Sequence, residues 1–483
     1  MTSLANIITY PTISAFGPEI FLAAIGCLVV IADILWKDQK YIITTILIAG
    51  GFATLLMCLS TSGSSFYGMY SADGFGAFFK IICILALILT VLLSINYLDL
   101  MGIKRKGEYY GLMAFACVGM MILASATDLI VLYLGLELMA LSIYCLVGLM
   151  KKEKRASEAA IKYLLLGAFA SCLYLFGLSY VYGISGTTDM IAISKAMASQ
   201  KLFTNPAFML GAGLIIISFA FKVAAAPFHM WTPDAYEGAM TPVTAFMSIG
   251  PKAAGFAALG RVIMQTFSVA HQDVVWPILI MAFLTMAIGN ITALCQKSVK
   301  RMLAYSSIAH AGYALLGFLP GTASGISATM NYLFIYLFMN MGAFAIVILL
   351  QKRGVAGELL EDYRGLAKNH PLPAALMLAF MFALTGIPPT AGFIGKFNLF
   401  MAVLNAGYTW IVIFAVLFSA ISAYFYLRVI TYMYMYEPEK DVELAYAKGL
   451  NAVLAVALTG VIILGCMPEG LLKFAGGFFT ILK

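Results

Sequence analysis

The chain has 483 residues, 63% of them hydrophobic and only 11% charged, with a net charge of +7. A soluble domain carries about a quarter charged residues, so the composition excludes one and points to an all-α polytopic membrane protein embedded in a lipid bilayer. The basic residues fall in short clusters between apolar runs, the pattern of topology markers, and no nucleic-acid role is expected.

In chain order the apolar runs predict about fourteen transmembrane helices. They lie near residues 14–36, 41–60, 74–98, 109–125, 127–150, 157–184, 205–239, 240–264, 273–295, 300–319, 323–352, 372–405, 409–436 and 448–468. Runs of about twenty residues cross about 30 Å of hydrocarbon. Spanning strands would read as alternating segments of about ten residues, and none is expected. The opening MTSLANIITYPTISAFGPE lacks a basic leader region, so the first span is expected to be retained.

The connections orient these spans. Lys37 and Lys40 stand in the first, Lys104, Arg105 and Lys106 in the third, and Lys151, Lys152, Lys154 and Arg155 in the fifth. The ninth holds Lys297, Lys300 and Arg301, the eleventh Lys352, Arg353, Arg364 and Lys368, and the thirteenth Lys440 and Lys448. The even connections are nearly bare, apart from Lys195 and Lys201 in the sixth. The positive-inside rule then puts the odd connections in the cytoplasm and both termini outside.

Two runs, 205–239 and 372–405, are too long: about 34 residues each would span roughly 51 Å as one helix. Each is interrupted, by Pro227 and Pro233 in KVAAAPFHMWTP and by Pro388 and Pro389 in LTGIPPTAGFIGK. Proline removes a backbone donor, and at membrane depth the freed carbonyls need polar partners. These two broken helices are the seventh and twelfth, five spans apart. A five-helix unit repeated once enters the membrane in the opposite sense, which is the inverted-repeat logic of transporters.

Ionisable residues inside these runs mark function, because a charge at the bilayer centre costs roughly 2.5–3.5 kcal/mol. Glu137 lies near the middle of the fifth span, and Lys222 shortly before the first break. Lys252 follows Pro251, and Lys396 follows the second break. Lys162 stands near the cytoplasmic end of the sixth span. All five are expected to face the bundle interior, with Glu137 the charged partner of Lys222. His310, at mid-span with Ser306, Ser307 and Tyr313 within helical reach, suits a proton relay. His229 is expected to serve the broken stretch structurally. Asp234 and Glu237 read as solvated loop acids at its cytoplasmic side, with proton gathering at a half-channel mouth as the alternative, and Lys80, near an outer end, is assigned no role.

The eight cysteines carry no CxxC pair and read as small core hydrophobes, so neither a metal nor an iron–sulfur cluster is expected. No glycine-rich nucleotide loop occurs, and no bound cofactor is expected.

The runs LGLELMALSIY around Glu137, FKVAAAPFHMWTPDAYEGAMTPVTAF through Lys222, KRMLAYSSIAHAGY, and GIPPTAGFIGKF through Lys396 resemble the antiporter-like membrane subunits of respiratory complex I. The likeness covers roughly residues 105–435 and is nearest the N type of bacterial NADH:quinone oxidoreductase. The M type carries a glutamate where this chain has Lys396. A subunit of a multisubunit sodium/proton antiporter is the alternative.

The resemblance implies inverted repeats at 109–264 and 273–436, a three-helix segment at 1–108, and a C-terminal helix and tail at 437–483. It implies a bacterial inner-membrane location and other membrane-arm subunits as partners. NADH, flavin, iron–sulfur clusters and quinone would belong to partner subunits. The implied activity is outward proton translocation through Glu137, Lys162, Lys222, Lys252, Lys396 and His310, with no redox step in this chain. A lysine deprived of a nearby carboxylate in low dielectric gives up its proton, and charge shifts in neighbouring subunits would drive that change.

Overall fold

The computed structural model describes residues 14–36, 40–103, 106–351, 357–438, 444–470 and 477. Most of the opening segment, the topology markers Lys37, Lys104, Arg105, Lys352, Arg353 and Lys440, and most of the C-terminal tail lie outside them.

The N-terminal segment holds α1 (Gly17–Leu35), α2 (Lys40–Ser60) and α3 (Gly74–Leu100). Next come α4 (Lys106–Ser125), α5 (Leu129–Val147), α6 (Lys154–Ser185) and α7 (Met190–Gln200). The first broken run gives α8 (Pro206–Lys222) and α9 (Trp231–Gly238), followed by α10 (Thr241–Arg261). Then follow α11 (His271–Leu294), α12 (Val299–Leu316), α13 (Ala323–Leu350) and the single turn α14 (Leu366–Asn369). The second broken run gives α15 (Pro371–Thr385) and α16 (Ala391–Asn405), and the chain continues through α17 (Thr409–Met435) and α18 (Lys448–Cys466).

Side chains set several helix starts. Asp73 accepts from Gly76 N (2.7 Å) ahead of α3, and Asp128 accepts from Ile130 N (2.8 Å) ahead of α5. Ser298 and Thr322 cap α12 and α13 in the same way. These oxygens satisfy amides that the first helical turn leaves without partners.

Among the described residues, ten helices are long and apolar enough to cross a membrane. α13 has 89% of its apolar window buried within the chain, whereas α17 has 33%. The first therefore runs through the centre and the second along the perimeter.

Two elements were not expected. α7 is an extra helix between α6 and α8. A short hairpin pairs β1 (Gly63–Ser65) with β2 (Tyr70–Ala72), in the connection read as bare loop. The cysteine reading also needs correction. Cys58, Cys83 and Cys117 are buried, but Cys27, Cys145, Cys172, Cys295 and Cys466 are exposed. An apolar run fixes depth in the bilayer and leaves open which face of the helix a residue occupies.

Candidate functional site

Both breaks are built the same way. α8 ends with Ala224 in the left-handed region (φ +61°), where Ala225 N donates to Ala220 O at 2.8 Å. α15 ends with Gly386 there (φ +90°), where Ile387 N donates to Phe382 O at 3.1 Å. Each is a bond across the last turn that closes a helix C-terminus. The carbonyl end of a helix carries partial negative charge, so it is a fitting place for a cation.

Lys222 is the last residue of α8 and is 3% exposed. Its Nζ has no hydrogen-bond partner among the described residues and faces the rings of Phe221 (5.6 Å) and Tyr144 (5.9 Å). The expected direct bridge to Glu137 is not formed in this structure. Ser171 Oγ donates to Glu137 Oε1 instead.

Glu137 also departs from the expected interior position. It is half-buried, on the face of α5 that exposes Ile130, Leu134 and Leu141. Helical spacing from those leucines places it at the perimeter of the chain.

Lys252 is buried and donates to Ser307 O (2.8 Å) and Ser307 Oγ (2.7 Å) on α12. Pro251 beside it cannot bond the carbonyl of Met247, and Tyr236 Oη donates to that carbonyl at 3.1 Å. The Tyr236 ring lies 5.7 Å from Lys252 Nζ. A cavity lined by Lys252, Ser307, His310, Tyr332 and Tyr336 has about 10 Å³ of room for water centres, the space of one molecule.

His310 is 3% exposed, and both ring nitrogens are engaged. Nδ1 meets Tyr332 Oη at 2.5 Å and Nε2 meets Tyr426 Oη at 3.1 Å. A neutral imidazole donates on one side and accepts on the other. Tyr313 stands beside the ring, with centroids 6.0 Å apart, and Lys396 Nζ sits 4.9 Å over the Tyr313 ring.

Lys396 reaches back across the second break. It donates to Thr385 O (2.8 Å), Leu384 O (3.3 Å) and Ser419 Oγ (2.9 Å). Its ammonium thus sits on the carbonyl end of α15. Lys252, His310 and Lys396 form one connected polar row.

Lys162 is corrected. It is exposed, not facing the interior, and pairs with Glu158 (2.7 Å) and Asp234 (2.9 Å). Asp234 and Glu237 are not free loop acids either. Arg301 donates to Asp234 at 3.2 Å and to Glu237, so α6, α9 and α12 meet in a charged cleft. His229 lies half-buried in the turn of the first break, and its Nδ1 has no hydrogen-bond partner among the described residues.

Sequence reasoning missed several buried charged groups among the described residues. Lys80, assigned no role, pairs with Glu19 at 2.8 Å. Arg261 donates to Asp73 Oδ2 (2.8 Å) and Oδ1 (2.6 Å), and to Ala124 O (2.7 Å). Lys300, read as a topology marker, is 2% exposed and donates to Ala239 O at 2.6 Å. All lie near helix ends, where charge in a sequence reads as solvated.

Fold and site together define a multi-pass membrane protein with two interrupted helices and an internal row of amines. Residues 126–422 match the family described as NADH:quinone oxidoreductase/Mrp antiporter, transmembrane. The chain is 47% identical to NADH-quinone oxidoreductase subunit N of Desulfovibrio desulfuricans, over 96% of each chain. It superposes on a chain of respiratory complex I from Thermus thermophilus with a TM-score of 0.80 and 32% identity, covering 94% of this chain and 98% of that one. A chain of the Mrp complex from Dietzia sp. matches with a TM-score of 0.83 at 21% identity, over 98% and 97% of the two chains, a likeness of fold alone. The chain belongs to the antiporter-like membrane subunits of complex I, in the subunit N family.

Proposed function

We propose that this chain is the N-type subunit of the membrane arm of a bacterial NADH:quinone oxidoreductase, moving protons outward and carrying no redox step itself. The observation that carries this reading is the row Lys252, Ser307, His310, Tyr313 and Lys396, buried and linked by hydrogen bonds, ring contacts and a water-sized cavity. Buried amines held by neutral oxygens suit protons better than sodium, which takes carboxylate or carbonyl ligands.

Fourteen spans follow when the two broken helices, α10 and α12 are added to the ten long apolar helices. Two inverted units, 109–264 and 273–436, are supported by a repeated device. Leu129 N donates to Thr188 O and Met190 N to Thr127 O; Val299 N donates to Glu358 O and Leu360 N to Lys297 O. Every position shifts by 170 residues. A Cβ at Gly119 would lie 2.4 Å from Met139 N, and one at Gly289 would lie 2.6 Å from Ala309 N, the same shift again. Both termini then lie on the periplasmic side of the inner membrane.

In this mechanism Glu137 holds a proton on Lys222 through space. Drawing off or neutralising that carboxylate leaves an ammonium with no hydrogen-bond acceptor among the described residues, so the proton moves on. Lys252 and His310 pass it through the cavity to Lys396. The half-exposed face of Glu137 is the place for a neighbouring membrane-arm subunit to deliver the signal. The charged cleft of Lys162, Asp234, Glu237 and Arg301 serves as the cytoplasmic mouth.

The test is proton uptake into vesicles carrying the whole complex, measured beside quinone reduction. Lys222→Ala or Glu137→Ala is expected to impair proton movement while electron input still reduces its acceptor. Undiminished proton movement in both variants refutes the assignment.

A further inference from the structure

A second set of buried titratable side chains lies in the first three helices, apart from the row. Lys80 on α3 is 2% exposed and Glu19 on α1 is fully buried. Lys80 Nζ donates to Tyr70 Oη at 2.5 Å and stands 2.8 Å from Glu19 Oε1. Tyr70 Oη, from β2, donates to that same Glu19 Oε1 at 2.5 Å. One carboxylate oxygen therefore takes both contacts. Glu19 Oε2 is buried with no hydrogen-bond partner among the described residues, as are Ser65 Oγ and Ser125 Oγ beside this outer end.

An ion pair kept only as a strut gains little from this arrangement. Burying two charges costs several kcal/mol each, and matched apolar residues often serve stability equally well. A buried carboxylate oxygen left without a partner makes a poor strut and calls for another explanation. The phenol hydroxyl between amine and acid supplies the bridge.

The location joins this triad to the row. One turn along α3 from Lys80, Cys83 Sγ approaches Gly250 O at 3.8 Å, two residues before Lys252 on α10. On the other side, the lack of a Cβ at Gly76 lets Ser125 Oγ and Arg261 close in. An added Cβ would lie 2.4 Å from the first and 3.0 Å from Arg261 Nη2. The Asp73–Arg261 pair thus fixes the outer ends of α3, α4 and α10 against one another.

We infer that Glu19, Tyr70 and Lys80 form an additional proton-holding site between α10 and the outer hairpin. Lys80 gives a proton to Tyr70 Oη while the Tyr70 hydrogen passes to Glu19 Oε1. The ammonium and carboxylate become an amine and a carboxylic acid, and neither formal charge is left in the hydrocarbon. The inference rests on the reading that this chain moves protons.

The experiment measures protons moved per electron, and the amount of assembled complex, for Tyr70→Phe, for the double variant Glu19→Gln with Lys80→Met, and for Lys252→Met. Tyr70→Phe keeps the ring and the Lys80–Glu19 contact but removes the shared hydroxyl. It is expected to assemble normally and to lose protons per electron. The double variant removes both charges together and is expected to show the same loss. If both variants assemble and pump as the unaltered complex does, the triad is a structural pair and the inference is overturned. If the double variant does not assemble, Tyr70→Phe alone decides. Loss in Lys252→Met with none in Tyr70→Phe overturns this inference only. No loss in Lys252→Met overturns the reading beneath it.

Discussion

The two broken helices use one backbone device and leave their lysines in opposite circumstances. At the second break, Lys396 donates to two helix-end carbonyls and a serine. At the first, Lys222 occupies the last turn of α8, yet among the described residues its Nζ has no hydrogen-bond partner and faces aromatic rings. The position 170 residues beyond Glu137 is Ser307, which holds Lys252 directly. Glu137 thus stands apart from Lys222, while the neutral hydroxyl of Ser307 stands in contact with Lys252. A fixed neutral acceptor holds a cation in place, and a remote charge can be varied. Under the proposed mechanism, the first break would be where protonation is switched and the second where a proton is held in transit.

The sharpest way to break this contrast is to remove each amine. Lys222→Met and Lys396→Met are both expected to abolish proton movement through the chain in vesicles. Their stabilities should part. Lys396→Met leaves three acceptors without their charged donor and should cost about 1.5–3 kcal/mol. Lys222→Met removes a buried charge that lacks a hydrogen bond and should leave stability unchanged or raised. Thermal unfolding of purified protein reads the difference, and equal losses would end the comparison.

Smaller effects should come from the turn residues. Gly386→Ala forces a side chain into the left-handed region, costing about 1–2 kcal/mol. It also brings a Cβ within 3.1 Å of Lys396 Cδ, so proton movement should fall with stability. Ala224→Gly relieves the matching strain at the first break, and its gain should stay below about 1 kcal/mol because glycine loosens the unfolded chain. A melting point lowered by Ala224→Gly would contradict the strain argument.

The smallest effect concerns the neutral acceptor. Ser307→Ala removes one of two bonds to Lys252 and keeps the backbone carbonyl, at a cost of about 1 kcal/mol. It should slow proton movement without stopping it. Complete loss would give the hydroxyl a larger part in the row than holding the amine.

Much of the bundle was legible before any packing was known. Proline and glycine within over-long apolar runs announced both breaks, because a freed carbonyl at membrane depth demands a polar neighbour. Lys222, Lys252, Lys396 and His310 stood out as polar residues deep inside apolar runs, and the structure buries all four. Lys80, Glu19, Asp73, Arg261 and Lys300 did not stand out, since a charge near the end of a span looks solvated until its neighbours are placed. The hairpin at 63–72 was hidden in a short Gly- and Ser-rich connection, too brief for an alternating pattern.

By itself, then, the sequence determined the membrane class, the order of the apolar helices, the two interruptions and the deep amines. These depend on hydrophobicity and backbone chemistry along one dimension. Only the tertiary structure decided which way each side chain turns and what it touches. It put Glu137 at the perimeter, Lys162 in a charged cleft, Lys396 on a helix end, and Lys80 against Glu19. In a chain apolar on nearly every face, hydropathy marks depth and carries little record of azimuth, so the partners of each charge emerge only when the helices pack.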